Sequence, residues 1–369
     1  MKNTVDTLKE YLSQIKKLDT GAMEKARTRL DSLTKPPGSL GKLEDIAVRL
    51  AGISGKMFYE PHKRCVIIMS SDNGVVEEGI ASAPQSVTRV QTENFTKGLT
   101  GVAVIARQFN TDLIVVDMGI NADINNPLVR NRKIRKSTWN IAKREAMTYD
   151  EAEKAVLSGI ETALEAVKDG YKLLGAGEMG IGNTTTSSAV LCVLTGIPVE
   201  QATGKGAGLK EEAYRHKVEV IQRALENNKP NPSDPVDVLA KVGGFDIAAL
   251  AGVYIGAAYA RIPVVIDGFI SMVAALVASQ LNLLVKEYMF ASHASYEQGF
   301  RHAALALGIE PPLNLNMRLG EGSGCPIMFA VFDAACAVIR DMGTFEQANI
   351  DEQYLHAIKA RDTFAVGSK

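Results

Sequence analysis

What this chain lacks narrows its function before any motif is read. Long apolar runs are missing: the most hydrophobic window, FISMVAALVASQLNLLV from residue 269, meets polar residues before the roughly 18 apolar positions a membrane span needs. The first residues, MKNTVDTLKEYLSQIKKL, follow a helical polar–apolar period without an apolar signal core, so a cytoplasmic location and no membrane partner are expected. No excess of one charge sign exists either. Lys and Arg total 41 against 42 Asp and Glu, which speaks against a nucleic-acid partner. Cysteine is scarce, and Cys65, Cys192, Cys325 and Cys336 share no CxxC or zinc-like spacing. They read as small core residues in a reducing compartment. The five histidines (His62, His216, His293, His302, His356) show no metal spacing, and no Ser-His-Asp or Cys-His arrangement is readable. Nothing in the chain calls for a metal or a cofactor.

What is present is a 369-residue chain, 46% hydrophobic and 22% charged, long enough for one large domain with an accessory part. Helical periodicity runs through 3–18, 20–34 and 40–55, and later through 149–170, 209–227, 268–284, 295–307 and 325–342. Between these lie short β-branched runs at 64–70, 112–116, 171–174, 263–266 and 287–291. Such alternation predicts an α/β fold with a parallel sheet and helices on both faces. Nearly every strand-like run stops in a polar residue close to glycine: Asp72-Asn73-Gly74, Asp117-Met118-Gly119, Glu178-Met179-Gly180, Asp267-Gly268 and, without the glycine, Ser292-His293. Each alone is good turn chemistry. Together they predict one polar rim at the carboxyl edge of the sheet, where such folds hold ligands.

Three glycine-rich stretches carry the chemistry: GAGEMGIGNTTTSS (175–188), GKGAGL (204–209) and LGEGSG (319–324). Glycines allow successive N–H groups to converge on an anion, and Asn183 with Thr184 and Thr185 opens a helix whose N-terminus adds a favourable dipole. Without a GK[ST] ending the first stretch is not a triphosphate loop, and it is read as no dinucleotide fingerprint. Glu178 and Glu321 stand inside these stretches, where a carboxylate repels a phosphate and needs another task. Accepting from a ribose hydroxyl, or abstracting a proton, would suit them, and capping a helix or pairing with Lys205 or Arg318 would be the plainer role. Lys217, by spacing alone, belongs to a solvated helix face. His293 is either ligand-facing or a helix cap.

In this order the motifs KPPGSLGKLEDIA (35–47), SDNGVVEEGIASAPQSVT (71–88), GEMGIGNTTTSSA (177–189), GKGAGL, VGGFDIAALAG (242–252), VVIDGFISMVAAL (264–276), ASHASYEQGF (291–300), MRLGEGSG (317–324) and DMGTFEQA (341–348) resemble the nicotinate-nucleotide:dimethylbenzimidazole phosphoribosyltransferases. The resemblance spans nearly the whole chain. It implies a large Rossmann-like α/β catalytic domain over 61–343 and a small helical domain from 1–60 with the end from about 344 to 369. It further implies transfer of phosphoribose from nicotinate mononucleotide to an aromatic base in a homodimer. Glu321 is then the catalytic base, with Glu178 and Lys217 lining the nucleotide site. Phosphate and ribose fall to Gly177, Gly180, Gly182, Asn183, Thr184, Thr185, Gly204, Lys205, Gly206, Gly208, Ser292 and Gly320. The acceptor pocket falls to Asp72, Asn73, Ser82, Ala83, Val90, Gln91, Met179, Met317 and Leu319.

One segment departs from the family pattern. Many relatives read DHG where this chain has Asp72-Asn73-Gly74, and carry an aromatic residue and a glutamine where Ala83 and Val90 stand, with Gln91 beside the latter. A valine cannot hydrogen-bond the far nitrogen of a benzimidazole. The departure therefore admits another benzimidazole, a purine or a phenol as acceptor, with a phenol a heterodimer of two paralogues, and as a further alternative a non-catalytic ligand-binding paralogue.

Overall fold

The computed structural model describes residues 7–204 and 210–351. The chain divides into two compact units. One takes the described residues up to Lys17 with Pro61–Ala330, the other Leu18–Glu60 with the described residues from Val331 onward. Along the chain the helices are α1 (Leu8–Ser13), α2 (Thr20–Asp31), α3 (Lys42–Ser54), α4 (Ser86–Thr96), α5 (Gly101–Gln108), α6 (Tyr149–Lys168) and α7 (Asn183–Thr195). There follow α8 (Val199–Ala202), α9 (Glu211–Asn228), α10 (Pro235–Val242), α11 (Phe245–Tyr259), α12 (Phe269–Leu281), α13 (Phe300–Leu307) and α14 (Cys325–Asp341).

The large unit is built on parallel strands β1 (Arg64–Ser71), β2 (Asp112–Gly119), β3 (Val129–Asn131), β4 (Leu173–Met179), β5 (Val264–Ile266) and β6 (Met289–Ala291). Their order is β3-β2-β1-β4-β5-β6, the Rossmann order, with the chain reversing direction across the sheet between β1 and β4. Strand β1 is buried at every residue, as a strand covered on both faces must be. The β4 strand is longer than its apolar run predicts, because Gly175, Ala176 and Gly177 continue the ladder beside Val66, Ile67 and Ile68. Glycine's low strand propensity yields here to close packing: a Cβ on Gly175 would stand 2.6 Å from the Cys325 Cβ.

Helix α11 shows no polar face at all, every residue from Phe245 to Ala258 being buried. It lies against β1, β2 and β4 and against α6. The α6–α11 crossing brings backbones together at Gly159 and Gly252. A Cβ on either would sit 1.9 Å from a carbonyl oxygen, Ala249's or Val156's. Helix α1 also belongs to this unit rather than with residues 18–60, its Tyr11 ring meeting Tyr259 edge-on at 5.1 Å.

In the smaller unit α2 and α3 pack together, and Asp19 caps α2 by accepting from the Ala22 N–H at 2.9 Å. Lys35 and Glu44 form a buried ion pair at 2.9 Å. The returning chain pairs Leu33 with Thr344 in an antiparallel bridge, and Arg29 donates to the Ile339 and Met342 carbonyls. Of the expected C-terminal segment, residues 352–369 lie outside the described residues.

Candidate active site

At the carboxyl end of β4 the chain turns through Gly180-Ile181-Gly182 into α7. Gly182 adopts φ +92°, and as N-cap it brings no side chain to the helix start. Gly175 and Gly177 lie inside β4, so the GxGxxG spacing they make with Gly180 is not a dinucleotide turn. Asn183 donates from Nδ2 to Glu178 Oε2 and, at 3.2 Å, to Asp246 Oδ2. Thr184, next on the helix, accepts from Lys217 Nζ at 2.8 Å. Lys217 is only 1% exposed, which overturns its reading as a solvated residue. Burial lowers its ammonium to about 8, against the opposing pull of Glu297.

The LGEGSG turn places three consecutive residues in the left-handed region: Gly320 at φ +83°, Glu321 at +63° and Gly322 at +83°. Its N–H groups do converge on anions, but those anions belong to the protein. Glu321 N reaches Glu178 Oε1 at a long 3.4 Å, while Gly322 N and Gly324 N donate to Asp267 Oδ2 and Oδ1 at 3.0 and 2.7 Å. The expectation that this turn cradles a phosphate is corrected accordingly. Gly177 explains its closeness to the sheet, since a Cβ there would stand 2.5 Å from the Glu321 carbonyl oxygen. The Glu321 carboxylate accepts from Gln91 Nε2 at 2.7 Å and from Val102 N, at the start of α5, at 3.4 Å.

These elements enclose a cavity of about 370 Å³, within the range of small-molecule sites. Thirteen sequence-predicted residues line it: Glu178, Met179, Gly180, Gly182, Asn183, Thr184, Lys217, Gly320, Glu321, Ser82, Ala83, Gln91 and Leu319. Others lie behind the wall. Asp72 and Asn73 are buried beneath it, Asp72 accepting from Asn121 N at 2.8 Å and Asn73 donating to Asp246 at 3.5 Å. Thr185 is fully buried in α7, Ser292 donates to the Asp267 carbonyl, and Gly177 backs the Glu321 turn. Met317 pairs its carbonyl with Tyr296 N outside the lining, and Gly204 is covered by the Glu297 carboxylate. Val90 is 51% exposed on α4 and does not face the cavity; Gln91 does, because one residue turns a helix by about 100°. Lys205, Gly206 and Gly208 lie outside the described residues.

The wall also takes in Asp267 and His293, both expected on the polar rim, and Glu297, Arg318 and Phe269, to which the sequence assigned no place in the site. For Asp267 the signal existed, a polar residue before glycine at a strand end, but it is shared with ordinary turns. Carboxylates crowd this floor. Burial, then the charge of Asp246, pushes Glu178 up to about 8, and burial alone leads in raising Asp267 to about 7 and Asp246 to about 6. Burial holds His293 below its ordinary value, so that it favours the neutral ring. The cavity thus has buried acids raised above the usual carboxylate range on one side and the buried Lys217 beside a helix N-terminus on the other.

A Rossmann-ordered sheet with its cavity at the strand carboxyl ends, a buried ammonium at one side and acids at the other, is the architecture of a small-ligand site in an α/β enzyme. The family model described as phosphoribosyltransferase matches residues 15–350, and the chain belongs to that family. It is 55% identical over 359 residues to a nicotinate-nucleotide–dimethylbenzimidazole phosphoribosyltransferase of Clostridium perfringens, covering 97% of this chain and 99% of that one. The enzyme of the same name from Ruminiclostridium cellulolyticum is 53% identical over 94% of this chain and 99% of its own length. Among solved structures, CobT from Thermus thermophilus aligns with a TM-score of 0.86 at 39% identity, covering 90% of this chain and 99% of that one.

Proposed function

We propose that this chain moves the phosphoribosyl group of nicotinate mononucleotide to an aromatic base of the benzimidazole class, giving nicotinate and an α-ribotide for cobamide lower-ligand assembly. Support comes above all from Glu321, a carboxylate fixed on the cavity wall by Gln91 and the start of α5. In the donor the pyridinium nitrogen already carries positive charge. When the C1′–N bond breaks it takes the electron pair and leaves as a neutral ring, with no acid required. One ring nitrogen of the acceptor attacks C1′ from the opposite face with its lone pair, which inverts β to α. The proton on the acceptor's other nitrogen becomes acidic as that bond forms, and Glu321 takes it. Lys217, held to Thr184 at the start of α7, suits the 5′-phosphate, and Glu178 suits a ribose hydroxyl. The acidic floor suits the cationic donor and the positive charge that develops at C1′.

Gln91 lines the wall and exposed Val90 does not, which removes the Val90 part of the case for a phenol; the departures at Asn73 and Ala83 stand. A homodimer working in the cytoplasm belongs to the same proposal, and light scattering of the purified chain reads the copy number. The site is tested by Glu321→Gln. Nicotinate mononucleotide should still raise the melting temperature, while product formation falls by about 10²- to 10⁴-fold. Turnover close to normal removes Glu321 from the reaction.

A further inference from the structure

We propose that Asp267 is a positioning residue for Glu321, acting through the backbone of the turn; this rests on Glu321 being the base. Left-handed backbone at a glutamate is strained, and such strain persists only where the surroundings over-determine it. In this turn Glu321 stands between two left-handed glycines, so little within the segment itself fixes the direction of its side chain. Gln91 and Val102 N hold the carboxylate itself, and the backbone beneath it is held by the Asp267 carboxylate, which uses one oxygen for each of two amides, Gly322 N at 3.0 Å and Gly324 N at 2.7 Å. These lie immediately beyond Glu321, so the carboxylate sets the pitch of the turn at the residue that must face the acceptor.

Asp267 is itself held on three sides. It follows directly on β5 and is 2% exposed. Its N–H donates to Ser271 Oγ at 3.0 Å, and its carbonyl accepts from Ser292 Oγ at 3.1 Å. Ser271 Oγ also reaches the Ala176 carbonyl in β4 at 3.0 Å and pairs with the Tyr254 hydroxyl at 2.5 Å. A buried polar frame drawn from α11, α12 and two strands thus ends in the two oxygens that hold the turn. The chemistry demands a carboxylate: an amide of the same shape accepts on one side only and would set its own N–H against a backbone N–H on the other.

Asp267→Asn is therefore the informative change. For benzimidazole, kcat should fall by about 100-fold while KM for nicotinate mononucleotide stays within about threefold. Because a misplaced base matters less when the acceptor gives up its proton easily, the loss should shrink about tenfold for a nitro-substituted, more acidic benzimidazole. Equal losses for both acceptors, or a rise in KM that accounts for the loss, overturn the proposal. If Asp267→Asn does not fold, Ser271→Ala serves, with an expected drop in kcat of about tenfold at unchanged KM and the same dependence on acceptor acidity; an unchanged kcat sinks the idea. Failure of the underlying assignment is separate, because there Glu321→Gln itself would turn over normally.

Discussion

Two glycine-rich turns meet at this cavity, and they use the same backbone freedom to opposite ends. After β4, the turn through Gly182 opens α7 with Thr184 and Lys217 at its start. The 319–324 turn directs its amides instead at Glu178 and Asp267, two carboxylates of the protein. At one turn a helix start and a buried ammonium lie on the cavity wall; at the other the amides already donate to the protein's own carboxylates. Glycine content alone does not separate them. What separates them is which groups lie within reach of the N–H bonds, and that is settled by strands far away in sequence.

The comparison is broken hardest at Gly177. A methyl group there must displace the Glu321 turn, because its Cβ would sit 2.5 Å from the Glu321 carbonyl oxygen and 2.8 Å from the Gly322 Cα. Gly177→Ala should lower kcat/KM by more than about 100-fold, read by steady-state product formation. It should leave the thermal shift given by nicotinate mononucleotide in place if the two turns act separately. At the other turn, Lys217→Gln should raise KM for nicotinate mononucleotide by about tenfold with a smaller change in kcat. Wild-type KM should itself rise above pH 8, since an ammonium lowered to about 8 is charged below that pH and neutral above it. A flat KM between pH 7 and about 9 would detach Lys217 from the phosphate.

The carboxylate floor gives a smaller effect with a definite sign. Glu178 is raised in the folded state to about 8, so its contribution to stability is greatest at low pH and is lost as pH climbs through that value. Glu178→Gln cannot lose it. The melting temperature of the variant relative to wild type should therefore increase by a few degrees from pH 5 to about 9, as calorimetry would show. The smallest effect is expected at Val90. Being exposed, Val90→Gln should leave acceptor preference within about twofold, whereas Gln91→Leu, which removes the donor to Glu321, should shift the acceptor KM by about tenfold. A large shift at Val90 and none at Gln91 would return the departure in this segment to the acceptor pocket.

Legibility in the sequence followed the range of the interactions. The β-branched runs of β1, β2 and β5 and the amphipathic α6 and α9 were visible because strand and helix periods are local. Helix α11 was not, since it is apolar on every side and shows no moment to detect. Strand β3 was missed for its brevity, three residues at the sheet edge. Within the site, Glu178 and Glu321 stood out as carboxylates inside glycine-rich stretches, and Lys217 only through the family motifs; Asp267 was placed on the rim but given no role, its Asp-Gly pair being ordinary turn chemistry. Naming both Val90 and Gln91 for the pocket left the helical phase open, which a stretch of mixed polarity such as SVTRVQTENFT does not fix; Gln91 lines the cavity and Val90 does not.

Taken alone, the order of residues determined the alternation of strands and helices and the gathering of polar residues at the carboxyl ends of the strands. These follow from steric and hydrophobic preferences acting over a few residues. Only the folded chain decided that Lys217 is buried, that the amides around Glu321 are filled from β4 and from the end of β5, and that three acids share one desolvated floor. Hydrogen bonding and desolvation act at contact distance in space, whereas Glu178 and the Glu321 amide it accepts from lie 143 residues apart along the chain.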